Sequence, residues 1–574
     1  MLLPLPYNWR LSNGYQKAVK WSFYLGNGLA TLLNCIDIIY YRFTMRRTTG
    51  TILKEFQHEE NKGSLGWHFL WDYWYIVLAF ISLIWLMVFL YNRLKTKKKV
   101  VSNIGWGYYV FATVFLFGFI PLEVGGIRGD FKHSTRPITI SNAGDYVSRP
   151  QDIYLVLNTP FTFVRTLGSK GIRRVNYFSN KEVENIYSPI HQPTDSNIVM
   201  DKKNIVILIL ESFGKEAVGF YNQQLDGGTY TGFTPFLDSL SNHSLIFWDS
   251  YANGRKSIDA IPSVISSIPS EVEPFALTPY VSDSMQTLAH ILNKQGYGTS
   301  FFHGAPNGSM GFRAVMNLMG VEEYYGKDEF NNDAEYDGIW GIWDEPFLQF
   351  FEKKISSFQQ PFISVLFTVS SHHPFKLPKQ YAGKFKKGPL PVLECISYTD
   401  MGLQKFFIKA SKEPWFKNTL FVITADHSTV TYHDEYANFW GECSIPILLY
   451  SPGDTNFKGV RNQTIQQIDI MPTVLGYLGY SQPYFAYGQD VLHRKDSGFV
   501  FNYNGDYTWL QDDYLLVFDG EKTRGLYDFK TDRVMKRNLM NQQKSRVNDM
   551  EKRLKAFIQQ YRNRLIDNKL NPNS

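Results

Sequence analysis

Cysteine is nearly missing from this 574-residue chain, and three thiols cannot build a disulfide framework. Cys35 lies inside an apolar run, and Cys395 and Cys443 need not meet. No repeat recurs at solenoid or propeller periods, which excludes an array architecture. No Lys/Arg block is interleaved with aromatics, so nothing points to nucleic acid as a partner. The scattered basic excess, a net charge of +6, is compatible with an anionic membrane surface. The N-terminus lacks the short charged-then-apolar pattern that ends at small residues, so no cleavable signal peptide is evident. Long apolar runs are also absent from most of the chain, which beyond about residue 125 has the texture of a soluble globular protein.

What apolar length there is lies at the start. Ala18 to Tyr40, Trp71 to Tyr91 and Ile104 to Val124 each reach the roughly 20 residues needed to cross a hydrocarbon core. Asn27, Asn34 and Asp37 interrupt the first, which therefore also reads as a buried core helix. Trp71, Trp74 and Tyr91 sit near the ends of the second, as interfacial aromatics do. Between the second and third runs, Arg93-Leu-Lys-Thr-Lys-Lys-Lys99 holds five basic residues in seven, the signature of a short cytoplasmic loop. Everything after the third span is then expected outside. Arg42, Arg46 and Arg47 also fall outside, against the rule, without reversing it.

Residues 131–200 hold Pro and Asn breaks and read as a connecting segment lying over the main domain. From Lys203 the pattern changes. Asn204 to Leu210 is a continuous apolar run too short to span a bilayer, as a fully buried parallel strand is. Similar runs follow at Phe362 to Phe367, Leu420 to Thr424 and Ile445 to Tyr450, separated by helix-length segments such as Ser284 to Lys294 and Tyr398 to Ala410. Alternation of this kind predicts an α/β fold, a mostly parallel central sheet flanked by helices. Residues 201–496 form this expected core. Residues 497–574 read as a small β subdomain ending in a helix, where Val547, Met550, Leu554, Phe557, Tyr561 and Leu565 recur at helical spacing.

Open α/β sheets place ligands at the carboxyl ends of their strands. Glu211 follows the first run, His303 follows Thr299-Ser-Phe-Phe302, Ser370-Ser-His372-His373 follows the run through Phe367, and Asp426-His427 follows the run through Thr424. Each alone is weak, because a lone Glu after a strand is more often a helix N-terminal charge and a lone His a structural residue. Together they supply the oxygen and nitrogen ligands that hold a divalent cation.

Glu211-Ser-Phe-Gly214, Asn253-Gly-Arg-Lys-Ser257, Ser371-His372-His373-Pro374-Phe375 and Ala425-Asp426-His427 occur in the order seen in the sulfatase/alkaline-phosphatase superfamily. They most resemble its lipoteichoic acid synthase and phosphoglycerol transferase branch. Further echoes are Thr234-Pro-Phe-Leu-Asp238, Trp340-Gly-Ile-Trp-Asp-Glu345 and Gln467-Ile-Asp-Ile-Met-Pro-Thr473. The resemblance covers about Lys203 to Leu539, and it implies a sulfatase-like catalytic domain behind a transmembrane region over residues 1–130. Members of the branch tend to have more than three spans, so the abrupt start at Met1-Leu-Leu-Pro-Leu-Pro implies further spans upstream.

By the resemblance Ser257 is the nucleophile, and Glu211, Ser257, Asp426 and His427 hold one divalent metal, Mn2+ before Mg2+ or Zn2+. A free hydroxyl is a poor nucleophile at neutral pH, so activation of this kind is needed. Ser257 also reads as a helix N-cap, with Arg255 and Lys256 able to offset anionic charge where a side chain turns inward. Ser212 and Ser428, beside the ligands, compete as nucleophiles. His372, His303 and Arg313 match substrate-binding positions, Arg being suited to bidentate phosphate contact. The branch often has Trp two residues before that Arg, where this chain has Gly311, which leaves the headgroup open. The implied activity is transfer of a phosphoglycerol- or phosphoethanolamine-type group from a membrane phospholipid to an envelope glycan or polymer, at the cell membrane with the catalytic domain outside. The alternative is a sulfatase-type hydrolase of sulfuric or phosphoric esters. It is disfavoured because Ser257-Ile-Asp-Ala-Ile lacks the Pro and Arg of a formylglycine site.

Overall fold

The computed structural model describes residues 4–44, 46–50, 52, 67, 70–94, 105–129, 131, 138–169, 171–192 and 199–573. They group into two compact units, Met1–Gly171 and Ile172–Ser574.

The first unit carries three long helices, α1 (Asn13–Thr44), α2 (Trp74–Leu94) and α3 (Trp106–Arg128), each long and apolar enough to cross a membrane. α1 accommodates its polar residues locally. The amides of Asn27 and Asn34 each donate to the carbonyl four residues back, at 2.8 Å. Asp37 is buried and accepts from Arg47 Nη1 at 2.7 Å and from the Thr48 backbone at 2.6 Å. α2 has no buried residue and exposes aliphatic and aromatic side chains around its circumference, as a helix solvated by lipid does. Most of the basic Arg93–Lys99 loop lies outside the described residues.

The second unit is built on an eight-stranded sheet: β1 (Asn204–Leu210), β2 (Leu245–Phe247), β3 (Gly298–His303), β4 (Glu323–Tyr325), β5 (Phe362–Phe367), β6 (Thr419–Ala425), β7 (Ile447–Tyr450) and β8 (Gly459–Arg461). Their spatial order is β8-β2-β7-β6-β1-β5-β3-β4. All pairs are parallel except those of β7, which runs against both neighbours. β1, β5 and β6 are buried along their whole length, which is why each reads as an unbroken apolar run. β7 begins at Ile447 rather than Ile445 because Pro446 has no N–H to give a ladder. The helix expected from Ser284 begins at Leu288, where the Thr287 side chain accepts the His290 N–H and caps it.

Flanking helices include α4 (Ser257–Ser266), α5 (Asp344–Ile355), α6 (Val392–Ala410) and α7 (Ile470–Tyr477). The chain closes with an antiparallel meander, β9 (Val500–Asn504), β10 (Asp506–Gln511), β11 (Tyr514–Phe518) and β12 (Thr523–Asp528), followed by α8 (Lys544–Ile566). The six periodic apolar residues of α8 are all buried. The connecting segment divides at residue 171. Its later part packs within the second unit, where Ile190 pairs with Phe485 and the Tyr177 N–H donates to Gln559 at 2.7 Å.

Candidate active site

β1 and β6 are neighbours in register, with Leu210 opposite Ala425, so the residues that follow them emerge side by side. Those residues are Glu211 on one strand and Asp426-His427 on the other. Their ligand atoms all lie within 4.8 Å of one another. Glu211 is fixed by its own N–H, which donates to Thr368 Oγ1 at 2.8 Å. Its two carboxylate oxygens take different serines: Oε1 accepts from Ser212 at 2.9 Å and Oε2 from Ser257 at 3.1 Å. Ser212 has φ of 58°, a left-handed conformation unusual outside glycine, and its N–H donates to Asp426 Oδ1 at 2.7 Å.

Asp426 is fully buried. Oδ1 accepts the N–H groups of Ser212 and His427, both at 2.7 Å, whereas Oδ2 makes no hydrogen bond. His427 Nε2 approaches Oδ2 to 3.2 Å without a hydrogen-bonding direction and lies 3.9 Å from Glu211 Oε1. Burial, reinforced by the Glu211 charge, pushes the Asp426 carboxyl well above the carboxylate range. His427 is pulled down by burial but held above the usual imidazole value by Asp426 and Glu211. Its Nδ1 lies 2.7 Å from the Ser428 carbonyl, which can only accept, so Nδ1 carries a proton and Nε2 faces the carboxylates. An orphaned carboxylate oxygen, a second carboxylate and an imidazole nitrogen turned to one point form a donor set that fits a divalent cation.

Ser257 is the first residue of α4, not its cap. The cap is Lys256, whose N–H the Asp259 carboxylate accepts at 3.2 Å, and the Ser257 hydroxyl instead donates to Glu211. Arg255 turns away to pair with Glu442. Ser428 Oγ donates to the Thr429 carbonyl at 3.4 Å.

His303 ends β3, and His372 follows β5. His303 is buried between Phe312 and Phe367, its ring 5.0 and 5.4 Å from theirs, and burial lowers its pKa to about 4, so it is neutral at pH 7. It lies near enough to Glu211 and His372 to interact with both electrostatically. His372 packs on Trp340 at 3.9 Å between ring centroids, and Trp340 Nε1 donates to the His373 carbonyl at 2.5 Å. Arg313 is exposed on the first turn of the helix Phe312–Leu318.

Several supporting residues carry no chemistry of their own and were not singled out for these roles in the sequence. Gln467 Nε2 donates to the Ala425 and Asp426 carbonyls, both at 2.8 Å, while its Oε1 accepts the Asn253 N–H at 2.9 Å. Asn253 Oδ1 in turn accepts from Ile468 at 3.0 Å. These bonds tie the loop carrying Ser257 to the loop carrying Asp426. Asp344 does the same for the histidine loop, accepting Val369 N–H at 2.8 Å, Ser370 N–H at 3.1 Å and the Thr399 hydroxyl at 2.6 Å. Both lie in stretches quoted above, Gln467-Ile-Asp and Trp-Asp-Glu, which is the only signal that marks them.

A mixed α/β sheet that gathers two carboxylates, an imidazole and a hydroxyl at its strand ends gives the second unit the fold of the alkaline phosphatase superfamily. Residues 203–480, just under half of the chain, match the sulfatase family model. Lipoteichoic acid synthase of Staphylococcus aureus, strains USA300 and NCTC 8325, is 24% identical over 544 residues, covering 87% of this chain and 79% of the relative. Among solved structures, an alkaline phosphatase superfamily protein from Vibrio parahaemolyticus superposes with a TM-score of 0.55 at 22% identity. Lipoteichoic acid synthase LtaP from Listeria monocytogenes does so with 0.54 at 21%. Each match covers 68% of this chain and 98% of the other.

Proposed function

We propose that this chain is a membrane-anchored, metal-dependent transferase that moves a phosphoglycerol- or phosphoethanolamine-type group from a phospholipid to an envelope polymer through a covalent intermediate on Ser257. The observation that carries this reading is the placement of the Ser257 hydroxyl. It opens α4, where free backbone N–H groups favour a phosphoryl group, and it points at Glu211 within the acid–imidazole cluster. The curated relatives bear the name of a polymer synthase rather than a sulfatase, and the three apolar helices supply an anchor suited to a lipid donor.

Glu211, Ser257, Asp426 and His427 would hold the cation. Bound there, a divalent ion (Mn2+ by the resemblance, Mg2+ or Zn2+ by the donor set) supplies positive charge that favours the ionised serine hydroxyl. The protein's own part is positioning. Glu211 orients Ser257 Oγ, and Asn253 with Gln467 hold the two loops together. In the transfer, the Ser257 Oγ–phosphorus bond forms as the phosphorus–oxygen bond to diacylglycerol breaks, and the diacylglycerol oxygen gains the proton that the hydroxyl loses. His372 and neutral His303 line the approach to this point, and Arg313 is assigned to the anionic headgroup. An acceptor hydroxyl then takes the group and Ser257 regains its proton. Hydrolysis of a sulfate or phosphate ester is the alternative, with water as the acceptor.

Mass spectrometry of the detergent-solubilised full chain after incubation with mixed phospholipids tests this. The expected result is a phospho-adduct on Ser257 whose mass names the headgroup, absent from Ser257→Ala and retained in part by Ser257→Thr. An adduct on Ser212 or Ser428, or wild-type transfer by Ser257→Ala, overturns the assignment.

A further inference from the structure

In the segment after the third apolar helix, Ile153, Tyr154 and Leu157 are buried as expected, but one short helix has its polarity reversed. Two short helices, Ile153–Val156 and Thr159–Thr166, lie in the first unit. On the second, Thr159, Thr162 and Thr166 recur at helical spacing and are buried, none more than 2% exposed. Val164 on the same helix is 65% exposed and Leu155 is 78% exposed, with Val156 and Leu167 open beside them. A helix folding against water turns its aliphatic residues inward and its hydroxyls outward. Two of the inward hydroxyls bond locally: Thr162 Oγ1 donates to the Asn158 carbonyl at 3.1 Å, and Thr166 Oγ1 donates to the Thr162 carbonyl at 2.7 Å and accepts the Gly50 N–H at 2.7 Å. The outward aliphatic face is left without protein cover among the described residues.

Two features identify what covers it. The segment is fastened to the end of α1, a helix apolar enough to span. Arg47, paired with Asp37 of α1 at 2.7 Å, donates from Nε and Nη2 to the Tyr154 carbonyl at 2.9 and 2.8 Å. Gly50 meets the Leu167 backbone so closely that a Cβ there would lie 2.6 Å from it. The segment bearing the aliphatic face is therefore held beside the end of α1. The residues around that face are also of the interfacial kind: Tyr146 is 77% exposed, Arg165 is exposed, and Arg149 is exposed and paired with Asp152.

We propose that residues 146–167 lie in the membrane–water interface as a monotopic segment. The occupant of the exposed face is a phospholipid surface, with Leu155, Val156, Val164 and Leu167 in the acyl boundary and Arg165 among the headgroups. The inference rests on the reading of α1, α2 and α3 as membrane spans, and its test separates the two.

The full chain is reconstituted into phosphatidylglycerol–phosphatidylcholine vesicles with a nitroxide label at Leu155→Cys or Val164→Cys. Cys35, Cys395 and Cys443 are buried, and the unsubstituted chain gives the background. Leu83→Cys on α2 and Lys412→Cys on the second unit serve as lipid and water references. Both test positions should lose access to a water-soluble nickel chelate relative to Lys412→Cys while keeping the oxygen access seen at Leu83→Cys. Nickel access equal to that of Lys412→Cys overturns the proposal. So does exclusion of both reagents, which would mean protein cover by a second copy or another chain. An aqueous reading at Leu83→Cys overturns the spanning assignment along with it.

Discussion

At Asp426 one carboxylate oxygen accepts two backbone N–H bonds while the other lies buried without any, and this imbalance makes the residue a sensor of its own occupancy. Its carboxyl is raised in the folded chain, first by burial and then by Glu211, so above the ordinary carboxylate range the folded state binds more protons than the unfolded state. Stability then falls as pH rises through that window. His427, also raised, adds stability below the ordinary imidazole range that is lost as pH climbs past its folded value, which is the same sign. A divalent cation relieves both penalties. In chelator, the thermal midpoint of the full chain should therefore drop between about pH 5 and about pH 8 more steeply than that of Asp426→Asn, and Mn2+ should restore it only in the parent. Parallel curves with equal metal binding would sink the ligand assignment. Asp426 was legible in the sequence because it directly follows an unbroken buried strand, and Glu211 for the same reason. Thr368 was not, since a hydroxyl accepting one backbone N–H leaves no pattern in the chain around it.

Elements bring together what sequence separation hides. β1 and β5 were legible to the residue, because strands buried on both faces are mostly apolar, with Asn204 and Ser364 the polar exceptions, whereas β2, β4 and β8 are three residues each and too short to show a period. Asn253 and Gln467 lie far apart in the chain and meet only after the sheet has formed, so their role belongs to the tertiary structure. Gln467→Leu removes two donors to the Asp426 loop and one acceptor from the Ser257 loop while keeping similar bulk. Turnover is expected to fall on the order of 10²-fold, as misplacement of a reacting group does, with the chain still folded. Steady-state kinetics beside circular dichroism checks this, and unchanged turnover would remove Gln467 from the positioning network. α8 was read correctly from its apolar stripe. Phe557 at its middle packs against Phe501 at 4.4 Å, Tyr187 at 5.1 Å and Phe499 at 5.7 Å between ring centroids. Phe557→Ala opens a cavity among aromatics and should cost about 3–5 kcal/mol. Denaturant titration measures the loss, and a change below about 1 kcal/mol would mean that the helix is not integral to the second unit.

For the whole molecule the open question is orientation, and it follows from charge and from parity. Among the described residues α1, α2 and α3 are three apolar helices, and on the proposed reading, in which each crosses once, the domain that matches the sulfatase model lies on the opposite side of the membrane from the residues before α1. The Arg93–Lys99 loop follows α2 with five basic residues in seven, a bias that favours short loops in the cytoplasm and, on the proposed reading, the chain after α3 outside. Arg42, Arg46 and Arg47 oppose that bias by sequence alone. In the structure Arg47 is committed to the buried Asp37, so part of this opposing charge is neutralised at the end of α1. The proposed chemistry requires the same arrangement, because an envelope polymer meets the enzyme only outside while the lipid donor stays in the bilayer. A reporter active only in the cytoplasm, fused after Ser574, should therefore be silent, and one active only outside should give signal. Replacing Lys95, Lys97, Lys98 and Lys99 with Gln removes four of the five loop charges and should raise the cytoplasmic signal at the expense of the other. A strong cytoplasmic signal from the unaltered chain would reverse the topology and with it the assignment of an extracytoplasmic acceptor. If both fusions behave as expected but the Gln variant keeps its orientation, the membrane side is set by the folded domain rather than by the loop.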